Sequence, residues 1–274
     1  MTTHVRLQHL IFDADDTLWE NNIYFERAIE DFLDFLAHST LTREEARAVL
    51  DEIERANFGV HGYGSAAFSR NLRRCYEHLA EREIAEDDLR TVMAFGERIL
   101  SQPVELIDGV EETLALLAER EIAEDDLRTV MTFGERILSQ PIELIDGVEE
   151  TLAILADRHD LTLMTKGHPE EQRLKIDRSG LGSYFRHAAV VPEKDAAAYQ
   201  SLVAQLEVDP ARTWMIGNSP KSDINPALAI GLNAVFIPHH ATWRLEQQDL
   251  DGDAGPGELL VLERFRDLGR HFLD

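Results

Sequence analysis

Lysine is nearly missing from this chain of 274 residues: it stands only at positions 166, 175, 194 and 221, and arginine supplies the other basic side chains. Basic residues of both kinds are scarce, 27 against 52 acids, which leaves a formal net charge of −25. A surface that negative is repelled by a nucleic-acid backbone and by an anionic membrane, so neither is expected as a partner. It leaves room for a phosphorylated substrate, because a local cationic pocket and a metal outweigh the global field at short range. Cysteine occurs once, at Cys75, which excludes an internal disulfide. On its helical stretch that residue reads as a small apolar filler. Long apolar runs are also missing. None approaches the ~18 residues of a membrane span, and the start of the chain has no signal-peptide pattern. The expected location is the cytoplasm, and nothing in the sequence specifies an oligomeric state.

What is present points to a packed α/β protein. Hydrophobic residues make up 44% of the chain, far from a disordered composition, and the length suits a full core plus a second, smaller domain. Leu7 to Phe12 is a short apolar run that stops at three acids, as a buried parallel strand does. Similar runs stand at 161–164, 214–216 and 234–237, each flanked by amphipathic helical text, so residues 145–240 read as repeated β-α units. Between Trp19 and about residue 144 strand signals are few. The apolar spacing there, as in Ala28 to Leu36, is helical.

Within that helical region, residues 81–118 and 119–156 are tandem copies with a period of 38, differing only at Ala94/Thr132, Val104/Ile142 and Leu116/Ile154. Solenoid repeats come in larger numbers and drift apart, so two near-identical copies read as a recent segmental duplication or as an artificial repeat. The second copy runs directly into the strand at Leu161, and Ile145 to Leu152 is therefore expected to enter the core. The first copy is expected to extend the helical region, with Val110 to Leu138 as one long helix.

Asp13 and Asp15 lie just past the end of the first strand, where open α/β sheets place ligands. Two residues apart on extended chain, their side chains point the same way and invite a hard, oxygen-ligated cation such as Mg²⁺. An EF-hand loop is excluded: counting from Asp13, the sixth position is Leu18 rather than Gly and the twelfth is Tyr24 rather than Glu. Three further segments follow in order: Leu163-Met164-Thr165-Lys166-Gly167, then Pro192-Glu193-Lys194-Asp195, then Gly217-Asn218-Ser219-Pro220-Lys221-Ser222-Asp223. Three of the four lysines fall in or beside them.

With Asp13-Ala14-Asp15-Asp16-Thr17-Leu18, these segments resemble the four motifs of the haloacid dehalogenase-like hydrolase superfamily, most of whose members are phosphatases. The resemblance implies an α/β fold: a Rossmann-like parallel-sheet core, 1–18 and 145–274, with an inserted all-α cap domain, 19–144, here enlarged by the tandem duplication. It implies Asp13 as a nucleophile that forms an aspartyl-phosphate, and Asp15 as the acid and base that protonates the leaving alcohol and then activates water. Thr165, Lys166, Gly167 and Lys194 would bind the phosphoryl group, and Asp13, Asp15, Asn218 and Asp223 would hold Mg²⁺. The substrate implied is a small phosphorylated metabolite. Asn218 departs from the pattern, since the fourth motif commonly carries Asp there; an amide oxygen ligates Mg²⁺ but brings no charge. In the cap, Tyr24, Phe25, Phe58, Tyr63 and Phe68 are available to line a pocket. The stretch Gly59 to Ser65 reads as a substrate loop or a plain helix-helix turn, and Trp19, Glu20 and Asn21 as hinge or rim. A haloacid dehalogenase, a phosphomutase or phosphonatase, and a non-catalytic binding protein of the same fold remain alternatives.

Overall fold

A computed structural model describes residues 8–99, 142–252 and 255–273, and for 58–61 the backbone alone. Among these residues six strands form one sheet in the order β3-β2-β1-β4-β5-β6, with every pairing parallel. They are β1 (His9–Phe12), β2 (Asp160–Lys166), β3 (His187–Val191), β4 (Thr213–Gly217), β5 (Asn233–Phe236) and β6 (Leu259–Val261). Side chains alternate faces along each central strand. Leu10 and Phe12, Leu161 and Leu163, and Trp214 and Ile216 share one hydrophobic cluster. Ile11, Met164 and Met215 belong to another on the opposite face. Both faces are covered, which is why these strands read as unbroken apolar runs rather than as alternating ones. The strands the sequence did not announce are β3 and β6, both at edges. His187 and Ala188 are exposed, and β6 is three residues long, so neither carries the apolar signature of a central strand.

The chain leaves the sheet after β1 through α1 (Asn22–Leu36), α2 (Arg43–His61), α3 (Ser65–Leu79) and α4 (Glu86–Glu97). Ile29, Phe32 and Leu33 of α1, Leu50 of α2, Phe68, Leu72 and Cys75 of α3 and Val92 of α4 form a separate apolar cluster. Cys75 is fully buried in it, and burial first, then the nearby Glu54 carboxylate, pushes its thiol up to about 12. The start of α2 is tied by a reciprocal cap, in which the Glu45 amide donates to the Thr42 hydroxyl (3.2 Å) and the Thr42 amide to the Glu45 carboxylate (2.8 Å). Return to the core passes through a two-stranded crossing: Trp19 bridges Leu144, the Glu20 amide donates to Glu143 O (3.0 Å), and the Ile145 amide to Leu18 O (3.0 Å). Two antiparallel connections at one point are the geometry of a hinge.

From there α5 (Val148–Ala156) buries Val148, Leu152 and Leu155 against the sheet, so the segment that enters the core belongs to the second copy of the repeat. The expected helix from Val110 to Leu138 lies outside the described residues. The core continues with α6 (Pro169–Ser179), α7 (Ala196–Leu206), α8 (Asn225–Ala229) and α9 (Leu268–Phe272). No helix among the described residues is long and apolar enough to cross a membrane.

Candidate active site

Strand register assembles the site. Phe12 pairs with Leu163 of β2 and Ile216 of β4, so the residues just beyond these strand ends meet at one rim of the sheet. The Asp13 amide donates to Ile216 O (2.9 Å), which continues the ladder one residue further and sets the Asp13 side chain at the lip. This is the point where the chain order reverses from β1-β2-β3 to β4-β5-β6, the usual ligand position in such sheets. A cavity of about 150 Å³ opens there between the sheet rim and the helices of the insert.

At its floor lies a buried triad. The Lys194 ammonium hydrogen-bonds Asp13 Oδ1 and, at 2.9 Å, Asp223 Oδ1. All three residues are at least nine-tenths buried. Two carboxylates against one ammonium leave an excess negative charge. Burial, then the charge of Asp223, push the Asp13 carboxyl up to about 7 despite Lys194. For Lys194 the two carboxylates outweigh burial and raise its ammonium well above the ordinary lysine value. Gly217 makes the approach of Asp223 possible, since a Cβ there would stand 2.3 Å from Asp223 Oδ2. The Thr17 hydroxyl lies 2.9 Å from Asp13 Oδ2 and 3.2 Å from Asn218 Oδ1. Two oxygens, one from the end of β1 and one from the end of the adjacent β4, therefore converge on Thr17, and the Asn218 amide nitrogen donates to the Thr242 hydroxyl (3.1 Å). Asp13 and Asn218 oxygens with a surplus of buried negative charge form a donor set suited to a hard divalent cation.

Asp15 sits in the same cavity but is already engaged. It accepts from Trp19 Nε1 (2.7 Å), Gln172 Nε2 (2.9 Å) and the Lys175 ammonium (2.9 and 3.0 Å). Burial alone would raise its carboxyl, but Lys175 and these hydrogen bonds outweigh burial and hold it below the ordinary range. Lys175 and Gln172, one turn apart on α6, are the site residues that sequence reasoning missed. The lysine scarcity carried the signal: Lys175 too lines the cavity, and only Lys221 stands outside it, on the Leu245 carbonyl (3.0 Å). Asp16 holds a left-handed backbone (φ 61°) and accepts the amides of Asn21 and Asn22 (2.9 and 3.0 Å), tying the hinge to the strand end.

The expected phosphate-binding residues divide. The Thr165 hydroxyl faces the cavity and donates to Gln172 Oε1 (3.2 Å). Lys166 lines the cavity, but its ammonium is shared among Glu246 (2.6 Å), Ser222 (2.8 Å) and Glu193 (3.2 Å). Gly167 reaches the cavity as well, while its amide is spent on Val191 O (3.2 Å). From the insert come Phe25, Phe68 and the short turn Gly62-Tyr63-Gly64, with positive φ at both glycines; Tyr24 instead points to Glu143, and the side chains of Phe58 and His61 lie outside the described residues. The insert is latched to the core over this opening. Tyr63 bonds Glu193, the Ser65 amide and hydroxyl bond Glu171 (3.0 and 2.9 Å), and Arg244 pairs with Glu44 (2.6 Å).

A parallel α/β sheet with a buried aspartate, an ammonium and a second acid at its switch point, roofed by an inserted helical unit, defines a hydrolase-type site. Over residues 7–231 the sequence matches the family described as haloacid dehalogenase-like hydrolase. The chain belongs to that family. No curated protein matches it. Among solved structures it is similar to a haloacid dehalogenase-like family hydrolase from Xanthomonas campestris, with 26% identity, a TM-score of 0.67, and coverage of 93% of this chain and 89% of that one. It is also similar to the HAD-hydrolase YfnB from Bacillus subtilis bound to magnesium, at 16% identity and TM-score 0.58, covering 98% and 100% of the two chains. A third is the L-2-haloacid dehalogenase from Xanthobacter autotrophicus with chloropropionic acid covalently bound, at 13% identity and TM-score 0.56, covering 96% and 97%. The last two likenesses concern the fold alone.

Proposed function

We propose that this hydrolase is a Mg²⁺-dependent phosphatase acting on a small phosphorylated metabolite through an aspartyl-phosphate, in a cytoplasmic setting and without a nucleic-acid or membrane partner. The observation that carries the reading is the buried Asp13–Lys194–Asp223 triad with Asp15 two residues from Asp13, all facing one cavity. A dehalogenase of this fold has no need of the second acid, so Asp15 favours phosphoryl over halide chemistry. The core comprises 1–18 and 145–274, and the cap 19–144.

The Asp13 carboxylate attacks phosphorus as the ester P–O bond breaks, with Lys194 neutralising charge on the attacking carboxylate and the phosphoryl oxygens. Asp15 gives its proton to the departing alkoxide, then takes one from the water that cleaves the acyl phosphate, which releases inorganic phosphate and restores Asp13. In the closed site Asp15 is ionised by Lys175. A phosphate dianion beside it raises its affinity for a proton and competes for Lys175, so substrate itself favours the acid form. Thr165 holds a phosphoryl oxygen, with Lys166 and Gly167 on the same wall. Asp13, the main-chain carbonyl of Asp15, Asn218 and Asp223 would hold the Mg²⁺ ion, whose contribution is neutralisation of phosphate charge. The test is hydrolysis of p-nitrophenyl phosphate with and without Mg²⁺. Activity that needs the ion and vanishes in Asp13→Asn is expected; chloride release from 2-chloropropionate with no phosphate release would favour the dehalogenase alternative.

A further inference from the structure

One wall of the cavity is built by the insert, and its charges do not balance. Phe25, Ile29, Ala67 and Phe68 make it mainly apolar, and among them stand Glu26, Glu54 and Asn71. Glu54, on α2, is 4% exposed, lines the cavity, and has no hydrogen-bond partner for its Oε2. A buried carboxylate oxygen without a donor is costly and rare, and where one persists beside a cavity it marks a place for a ligand. The groups facing Glu54 do not satisfy it. On its own helix, Arg47 is committed to Asp51 (2.8 Å) and, across to α1, to both oxygens of Glu26 (2.8 and 2.9 Å). From α3 the buried thiol of Cys75 faces it. Nearby, Arg74 is spent on Asn57 (2.7 Å), and Asn57 in turn donates to Asn71 (2.7 Å). Glu26 and Asp51 thus take up the guanidinium of Arg47, Arg244 stands 3.6 Å from the other oxygen of Asp51, and Glu54 is left without a bonded cation. The local excess of carboxylates and the donor-less oxygen of Glu54 together fit a ligand that brings a cation with N–H donors.

We propose that Glu54 selects the substrate's alcohol portion by pairing with an ammonium group, so that the enzyme prefers phosphomonoesters of amino alcohols over isosteric esters without the amine. The proposal rests on the phosphatase reading for the reaction, and adds to it a binding site in the cap for the end of the substrate remote from phosphorus. Phosphate and amine then lie at different walls, the first against Lys194 and Thr165, the second against Glu54. The apolar lining between them keeps the pair in a low dielectric, where it is strong. Burial above all, with Asp51 and Glu26 adding to it and Arg47 opposing it, pushes the Glu54 carboxyl up to about 8. Below that pH the carboxyl must lose a proton to accept an ammonium, so amine binding strengthens as pH rises toward 8, by up to about tenfold per unit.

The experiment compares kcat/KM for O-phosphoethanolamine and for propyl phosphate, in which a methyl replaces the ammonium, in wild type and Glu54→Gln with Mg²⁺ present. Wild type is expected to prefer the amine at least fivefold, and the substitution to lower that ratio at least fivefold. A smaller wild-type preference, or a smaller drop, overturns the proposal. If neither these esters nor p-nitrophenyl phosphate is hydrolysed, the phosphatase reading alone fails, and the amine site is judged by binding. Ethanolamine, titrated calorimetrically at pH 8 with Mg²⁺ present, is expected to bind wild type at least fivefold tighter than Glu54→Gln; no binding to wild type, or equal binding to the two proteins, overturns the site.

Discussion

Replacing Asp13 should make the protein more stable. Asp13 lies fully buried beside Asp223, and its carboxyl is pushed from the ordinary 3.8 up to about 7 even with Lys194 in contact. A carboxyl whose folded value is raised binds its proton more tightly in the native state, so the native state loses stability as pH climbs past 3.8, and the loss is complete above about 7. Three units at 1.36 kcal/mol each make a penalty on the order of 4 kcal/mol at pH 8, against roughly 1–2 kcal/mol at pH 5. Asp13→Asn removes the charge and keeps an oxygen for Lys194, which stays paired with Asp223. The variant should therefore gain about 2–4 kcal/mol at pH 8 and little at pH 5. At about 2–4 °C per kcal/mol for a protein of this size, its Tm at pH 8 should exceed wild type's by about 5–15 °C. Thermal unfolding in a chelator at both pH values reads this directly. A variant less stable than wild type at pH 8, or a gap equal at the two pH values, would refute the argument that the triad holds surplus charge. Adding Mg²⁺ should raise the wild-type Tm and narrow the gap.

Asn218→Asp adds a carboxylate beside Asp13 Oδ2 and should tighten Mg²⁺ activation several-fold; an unchanged activation constant would remove residue 218 from the metal set. Lys175→Met strips Asp15 of its cation in a mostly buried pocket and should cost about 1–3 kcal/mol of stability together with at least a tenfold loss of kcat, whereas an unchanged Tm would mean that solvent already screens the pair. Deleting residues 100–137 joins Ile99 to Leu138 and regenerates a single copy of the repeat. The described parts of the cap and core already use most of one unit, its first half from copy one in α4 and its second half from copy two in α5. The shortened chain should fold with a Tm within about 5 °C of wild type and retain turnover. An aggregated or inactive product would show that the extra segment is required.

The legible parts of this protein were those governed by short-range chemistry. Leu10, Ile11 and Phe12 announced a doubly covered strand, and the acids after Phe12 marked the end of that strand, where a cavity opens, as a candidate site. Lysine scarcity singled out Lys166, Lys194 and Lys221, yet passed over Lys175, because Lys175 sits on an ordinary polar helix and its role depends on which face α6 turns toward Asp15. The edge strands β3 and β6 were hidden for a similar reason: with one neighbour each, they need little apolar text. Lys166 and Gly167 stand where the motif put them, but their polar groups are occupied by Glu246 and by Val191 O, partners that local sequence does not reveal.

The sequence by itself determined the α/β class, the helical insert and the repeated segment, and it laid out the acid–acid–lysine–acid order of the candidate site, since periodicity and charge are properties of neighbours along the chain. Tertiary structure alone decided the charge states. Asp13, Asp15 and Glu54 are the same kind of group in the sequence, yet one is raised, one lowered and one left unpartnered, because burial and the positions of Lys194, Lys175 and Arg47 are set by packing across distant parts of the chain.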